Sequence, residues 1–291
     1  MSLIDGKKIA ADIRIELKNY LAKTGYKPVL SVVLVGKRRD SETYVRMKMK
    51  ACLEVGIESH NYTLEDTVSE QELIMLIKKL NEDNTVDGIL VQLPLPKHIN
   101  ETNVIETILP NKDVDGLTRH NQGLLSDLNV EPLFYPCTPK GCLTLLQKSS
   151  IELKGKKAVV IGRSKIVGLP MSLILLRNNV TVTICHSNTS QTDLIKYLSD
   201  ADIVIVAVGK PSFIKSSWLN EKNVVIDVGI NAVEKPEKTE GYNLVGDVES
   251  NSLNVVKMIT PVPGGVGPMT IVSLLENTIK SYENKQKNTK N

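Results

Sequence analysis

The chain has 291 residues, long enough for two domains with cores of their own. Its 36 lysines and arginines against 33 aspartates and glutamates leave a net charge of +3, which gives no footprint for nucleic acid. The polar start Met1–Lys7 lacks a signal-peptide core, and no apolar run reaches the length of a membrane span, so no membrane partner is expected.

Lys7 to Ala22 reads as a helix, with Ile9, Ile13, Leu17 and Leu21 at spacing four. Pro28 opens the apolar run Val29–Val35, a strand buried on both faces, which Gly36 ends before the charged loop Lys37–Asp40. Ser41 suits an N-cap, Glu42 the first turn, and Gly56 the position past the helix end. Val45, Met49, Cys52 and Leu53 would form the buried stripe of this helix. Tyr44 and Lys48, spaced i, i+4, share a face beside it. A ring and an amine at the edge of a core can line a cleft, although a surface lysine packing its stem on a tyrosine is the simpler reading of these two residues alone.

Ser69–Glu72 is a capping box ahead of Leu73, Leu76, Ile77 and Leu80. Val86–Val91 is another buried strand and runs into Gln92-Leu93-Pro94-Leu95-Pro96. Ligands of open parallel sheets sit beyond the carboxyl ends of strands, where Gln92 falls; it would equally satisfy loop backbone groups. In Lys112-Asp113-Val114-Asp115-Gly116 the two aspartates share a face if extended, and a turn at Gly116 would leave one in a cleft and the other in solvent. A polar loop with two solvated acids fits as well. Thr138 and Pro139 then suit the cap and first residue of a helix; the domain boundary is placed at this start, with the helix from Pro139 to about Ser149 as the connector.

The chain is organised around residues 156–170. The apolar run Ala158–Ile161 meets Gly162-Arg163-Ser164, and Gly168 begins a helical pattern, the order of a phosphate-cradling strand–turn–helix. It departs from G-x-G-x-x-G, so an ordinary strand-to-helix turn reads equally well. The next strand, Val180–Cys185, ends in His186-Ser187-Asn188-Thr189 with no carboxylate to hold a ribose hydroxyl. Arg163 and Ser187 would instead hold a 2′-phosphate, which favours NADP over NAD unless Arg163 is merely a solvated cation. Ile203–Val208 and Val224–Val228 continue a βαβ series with Gly209 and Gly229 at their ends, hence a parallel sheet. Val233–Asn243 reads as an exposed excursion. Ile259–Thr270, with Pro261, Pro263, Gly264, Gly265, Gly267 and Pro268, is a stiff loop suited to a site wall. Pro268 would open a last helix with Ile271, Leu274, Leu275 and Thr278 on one side, and Lys285–Asn291 would fray. The four cysteines form no C-x-x-C pair and histidines are few, so reduced thiols in a cytoplasmic compartment are expected, with no metal site and no disulfides.

Taken together, several stretches closely resemble one family, the bifunctional methylenetetrahydrofolate dehydrogenase/methenyltetrahydrofolate cyclohydrolases. They are Tyr44-Val45-x-x-Lys48, Asp87 to Pro96, Lys112 to Gly116, Pro136 to Pro139, Gly162-Arg163-Ser164 to Pro170, Cys185-His186-Ser187, and Pro261 to Thr270, in family order. The resemblance implies two α/β domains with an active-site cleft between them. Residues 1–138 would form a folate-binding catalytic domain joined by a returning C-terminal helix, 268–285. Residues 139–267 would form a Rossmann-like NADP-binding domain with a parallel sheet, and 286–291 a disordered tail. It also implies a homodimer.

By the same resemblance Lys48 is the main catalytic group, Gln92 its neighbour, and Tyr44 packs along the folate. Asp115 binds the pterin. Gly162, Arg163, Ser164 and Ser187 take the cofactor phosphates. Ile230, Gly265 and Thr270 border nicotinamide and folate. Asn188 departs from the lysine common after the His-Ser pair. The implied chemistry is oxidation of the one-carbon bridge by NADP⁺ and hydrolysis of the resulting cation, with an amine as base beside a cationic substrate. The alternatives are a dehydrogenase without the hydrolase activity, a shikimate-type NADP dehydrogenase and a non-catalytic NADP sensor.

Overall fold

The computed structural model describes residues 2–235 and 241–290. Helices are α1 (Gly6–Thr24), α2 (Arg39–Val55), α3 (Glu70–Glu82), α4 (Glu101–Glu106), α5 (Arg119–Ser126), α6 (Cys137–Lys148), α7 (Gly168–Arg177), α8 (Gln191–Asp200) and α9 (Val266–Lys290). Strands are β1 (Ser2–Leu3), β2 (Val29–Val35), β3 (Glu58–Leu64), β4 (Gly88–Val91), β5 (Lys157–Ile161), β6 (Thr181–Cys185), β7 (Ile203–Val206), β8 (Val224–Asp227), β9 (Asn231–Glu234), β10 (Tyr242–Val245) and β11 (Met258–Ile259). The chain divides into a first unit, Met1–Ala10 with Thr138–Thr270, and a second, Ala11–Cys137 with Ile271–Asn291.

The second unit is built on β2, the middle of a three-stranded parallel sheet ordered β3-β2-β4. Every residue of β2 is buried, which explains a continuous apolar run in place of alternation. Leu30, Val32 and Leu34 pack with Val45, Cys52 and Val55 of α2 and with Leu274 and Leu275 of α9. Val33 and Val35 pack with Leu73, Ile77 and Leu80 of α3. The edge strand β3 was not foreseen, because its sequence is polar and only β2 pairs with it.

Helix α2 differs from expectation at two points. It starts at Arg39 with no side-chain cap; Ser41 is buried within its first turn, and the Arg38 guanidinium holds Asp40 at 2.7 Å. Leu53, expected in the buried stripe, is 82% exposed. The stripe is Ser41, Val45, Lys48, Cys52 and Val55, so Lys48 lies within the buried face.

Lys112 shows how a buried charge is tolerated here. Its ammonium donates to the carbonyls of Leu80 at 3.1 Å, Asn81 at 2.7 Å and Asp83 at 2.7 Å, groups that the end of α3 leaves without helical partners. Burial, then the Lys285 charge, lowers its pKa. Lys112→Met keeps the stem but takes this donor from all three carbonyls, of which that of Asp83 keeps the Val86 N–H. It is expected to cost about 2–3 kcal/mol, read as a lower urea midpoint at unchanged m-value. An unchanged midpoint would mean that water satisfies the carbonyls equally well.

The first unit carries a six-stranded sheet ordered β1-β11-β8-β7-β5-β6, each neighbouring pair parallel. Strands β7 and β8 are buried throughout, and β5 from Ala158 onward. The opening residues were expected in the N-terminal domain. They belong to this unit instead, because β1 pairs with β11. Part of the expected excursion is an antiparallel hairpin, β9–β10, and residues 236–240 of it lie outside the described residues.

Helix α6 starts at Cys137, ahead of the expected cap Thr138, whose hydroxyl lies 3.1 Å from that of Thr270 instead. Helix α9 starts at Val266, before Pro268, and runs to Lys290 where a frayed tail was expected; Asn291 lies outside the described residues. Among the described residues no helix is long and apolar enough to cross a membrane.

Candidate active site

In the second unit the buried face of α2 carries Lys48 toward the carboxyl end of β4. There its Nζ donates to Gln92 Oε1 at 2.9 Å. Gln92 Nε2 donates in turn to the Leu93 carbonyl at 2.8 Å, and the Gln92 N–H donates to Val33 at 2.8 Å. The amide is therefore fixed at both ends, with its oxygen turned to Lys48 Nζ. The structure thus brings together two residues 44 positions apart that sequence patterning placed only separately.

Tyr44 lies one turn before Lys48 and is half-buried. Burial, then the Asp40 charge, raises its phenol pKa, so at neutral pH the ring carries an O–H donor and no charge.

The two aspartates of the 112–116 stretch part company, as the turn at Gly116 suggested. Asp113 is buried and accepts from the N–H groups of Leu117 at 3.1 Å and Thr118 at 2.9 Å, and from Asn121 Nδ2 at 2.8 Å. Burial pushes its carboxyl up to about 6 against the pull of these donors. Asp113 is thus committed to the loop, while Asp115 is half-buried. Ile89 and Asp113 bridge in parallel, so this loop runs alongside β4.

In the first unit, Gly162 follows β5 at φ +123°, a conformation that favours glycine. Gly168 packs on it so closely that a Cβ there would sit 2.1 Å from the Gly162 carbonyl oxygen. The turn is therefore closed backbone on backbone, which is the function of the third glycine in a dinucleotide fingerprint although the spacing here differs. Ser164 Oγ accepts from Val167 N–H at 3.1 Å and Gly168 N–H at 3.4 Å, which ties the turn and leaves its own proton to donate outward. Arg163 is exposed in the turn between β5 and α7, and Ser187 is exposed beyond β6.

Ile230 is 40% exposed and follows Gly229. A Cβ on Gly265 would stand 2.6 Å from the Pro261 carbonyl oxygen, so the proline–glycine loop is tightly folded. Thr270 is half-buried on α9.

Sequence reasoning missed a buried acid pair behind these strand ends. Asp247 accepts from the N–H groups of Val208 at 2.7 Å, Gly209 at 2.9 Å and Lys210 at 2.8 Å, and from Asn231 Nδ2 at 2.8 Å. Asp227 accepts from Gly229, Asp247 and Val248, and burial pushes it up to about 7. The glycines are reciprocal: a Cβ on Gly229 would strike Asp247 and one on Gly246 would strike Asp227. The available signal was an aspartate ending a buried strand just ahead of a glycine.

The profile described as the tetrahydrofolate dehydrogenase/cyclohydrolase catalytic domain matches residues 4–115, and that of the family's NAD(P)-binding domain matches residues 136–286. The chain belongs to the tetrahydrofolate dehydrogenase/cyclohydrolase family. The bifunctional protein FolD of Campylobacter hominis is 52% identical over 295 residues, covering 100% of both chains. The bifunctional protein FolD 2 of Arabidopsis thaliana is 52% identical over 282 residues, 95% of this chain and 94% of that one. The solved Trypanosoma brucei methylenetetrahydrofolate dehydrogenase-cyclohydrolase, complexed with NADP cofactor and inhibitor, superposes with a TM-score of 0.93 at 39% identity, covering 97% of each chain. Membership sets aside the shikimate-type alternative and makes this chain an enzyme with a folate-type catalytic domain and an NAD(P)-binding domain.

Proposed function

We infer that the protein oxidises 5,10-methylenetetrahydrofolate with NADP⁺ and hydrolyses the methenyl cation to 10-formyltetrahydrofolate. The observation that carries the hydrolytic half is the buried Lys48 amine held by Gln92 beyond the end of a parallel strand. Hydride loss from the one-carbon bridge moves no proton, so there the protein's task is alignment. Hydrolysis does move protons. Lys48, directly or through Gln92, takes one from the attacking water and returns it to the departing folate nitrogen, and the remaining hydroxyl proton leaves to solvent as the formyl C=O forms. Tyr44 packs along the folate from the same helix face, and Asp115 takes the pterin's ring and amino N–H groups.

The first unit fits NADP. The closed Gly162–Gly168 turn lets a phosphate approach its backbone, and exposed Arg163, Ser164 and Ser187 hold the phosphates. When bound, NADP⁺ supplies the hydride acceptor. Ile230, Gly265 and Thr270 border the reacting rings.

We also place a homodimer contact at the open edge of β6, where Ile184 and the α7 residues Leu169 and Leu176 are exposed. A cytoplasmic location fits four cysteines that are all buried and in no disulfide.

The test is an absorbance assay with 5,10-methylenetetrahydrofolate and either NADP⁺ or NAD⁺, following methenyl formation and then its decay. NADP⁺ is expected to support turnover with kcat/KM about tenfold or more above NAD⁺, and methenyl to decay faster than without enzyme. Arg163→Ala should erase most of that preference by raising KM for NADP⁺ alone. Methenyl that accumulates without accelerated decay would leave only a dehydrogenase, and an unchanged cofactor preference in Arg163→Ala would remove Arg163 from the 2′-phosphate.

A further inference from the structure

Asn277, Ser281 and Lys285 fall at spacing four on α9 and form one polar stripe along its otherwise apolar packing within the second unit. Each reaches backbone carbonyls. Lys285 donates to Asn84 at 3.0 Å and pairs with the Asp87 carboxylate. Ser281 Oγ lies 2.6 Å from the Asp87 carbonyl and 2.7 Å from that of Asn111. These two side chains hold segments at the amino end of β4, the end opposite Gln92.

Asn277 is different in what it grips. It is 1% exposed, and its Nδ2 donates to the Val114 carbonyl at 2.8 Å and the Tyr135 carbonyl at 3.0 Å. The Val114 carbonyl belongs to the peptide group whose nitrogen is that of Asp115. On the other side of Asp115, its own carbonyl accepts from the Cys137 N–H at 3.3 Å. Gly116, at φ +70°, lies so close to the 135–136 backbone that a Cβ would stand 2.8 Å from the Pro136 nitrogen. Both peptide planes flanking Asp115 are therefore fixed. An amide nitrogen with two splayed protons matches two carbonyls from different segments, whereas an apolar residue would leave the Val114 carbonyl only the weak Cys137 thiol donor at 3.3 Å and take this donor from the Tyr135 carbonyl.

We propose that Asn277 is a positioning residue for folate binding, setting the direction of the Asp115 carboxylate from the C-terminal helix. The proposal rests on the reading that Asp115 meets the pterin. Asp113 anchors the loop beyond Gly116 and Asn277 the residue before Asp115, so the carboxylate leaves a backbone held on both sides.

The experiment compares Asn277→Leu, Asn277→Ser, Ser281→Ala and Asp115→Ala in the full chain, measuring kcat, KM for each substrate and the melting temperature. Asn277→Ser keeps one donor and serves where the leucine variant does not fold. Both Asn277 variants are expected to raise KM for methylenetetrahydrofolate by about tenfold or more while KM for NADP⁺ stays within about twofold. Ser281→Ala, which removes a hook of the same helix from the other end of the strand, should lower the melting temperature with both KM values within about twofold. If Asp115→Ala raises the folate KM but the Asn277 variants do not, or Ser281→Ala raises it equally, Asn277 is only structural and the proposal is overturned. If Asp115→Ala itself leaves the folate KM unchanged, both fall, and the fault is marked as lying in the role given to Asp115.

Discussion

Lys48→Met is expected to lower cyclohydrolase kcat by about three orders of magnitude while the protein still folds. Methionine matches the unbranched stem that packs in the α2 stripe beside Val45 and Cys52, so little volume is lost. What disappears is the amine and its 2.9 Å contact with Gln92 Oε1, an amide whose other end stays tied to the Leu93 carbonyl. The stability cost is on the order of one hydrogen bond, about 1 kcal/mol. The dehydrogenase activity should fall much less, because hydride transfer asks for no base. Lys48→Arg puts there a permanent cation that offers no base, and should lose hydrolysis to a similar degree. The measurement is methenyl decay at saturating substrate beside a thermal melt of each variant. A Lys48→Met enzyme that hydrolyses within about tenfold of the parent would show that water is activated elsewhere.

The same residue shows what could be read from the sequence. The spacing of Tyr44 and Lys48 put them on one helix face, and the strand-end position singled out Gln92, because both signals are local. Their hydrogen bond is not local, and without the family resemblance a lysine stem lying on a tyrosine was the simpler account. The strand β2 was legible residue for residue, since burial on both faces leaves no alternation. Strand β3 was not, because an edge strand with a polar outer face has no apolar period to detect. Leu53 misled the patterning: it continues the apolar series of α2 but points to solvent, and Lys48 occupies the stripe in its stead.

Asp113 and Asp115 were distinguished only as one inside and one outside; burial and three donors assign the inside position to Asp113. Asn277 was invisible for a plainer reason. Its partner Val114 is 163 positions away, and an asparagine in a helix carries no sequence mark of whether it faces water or two buried carbonyls.

Gly168→Ala is expected to raise KM for NADP⁺ by about a hundredfold or to destabilise the first unit by on the order of 3 kcal/mol. The added methyl carbon would lie 2.1 Å from the Gly162 oxygen, 2.4 Å from the Gly162 carbonyl carbon and 2.8 Å from the Arg163 nitrogen. All three are backbone atoms, so no rotamer change relieves the clash and the turn must open. Gly162 has little room to accommodate that, because a Cβ built on it already falls 2.3 Å from the Ala207 oxygen beside β7. Opening the turn moves Arg163 and Ser164 together, so the phosphate site loses its charge and its hydroxyl in one step. Hydrolysis of added methenyltetrahydrofolate supplies the internal control, since Lys48, Gln92 and Asp115 all belong to the second unit. Loss of NADP⁺-dependent oxidation with hydrolysis retained would tie the close glycine contact to cofactor binding. Normal KM for NADP⁺ in a Gly168→Ala protein would mean that the nucleotide does not depend on the turn being closed.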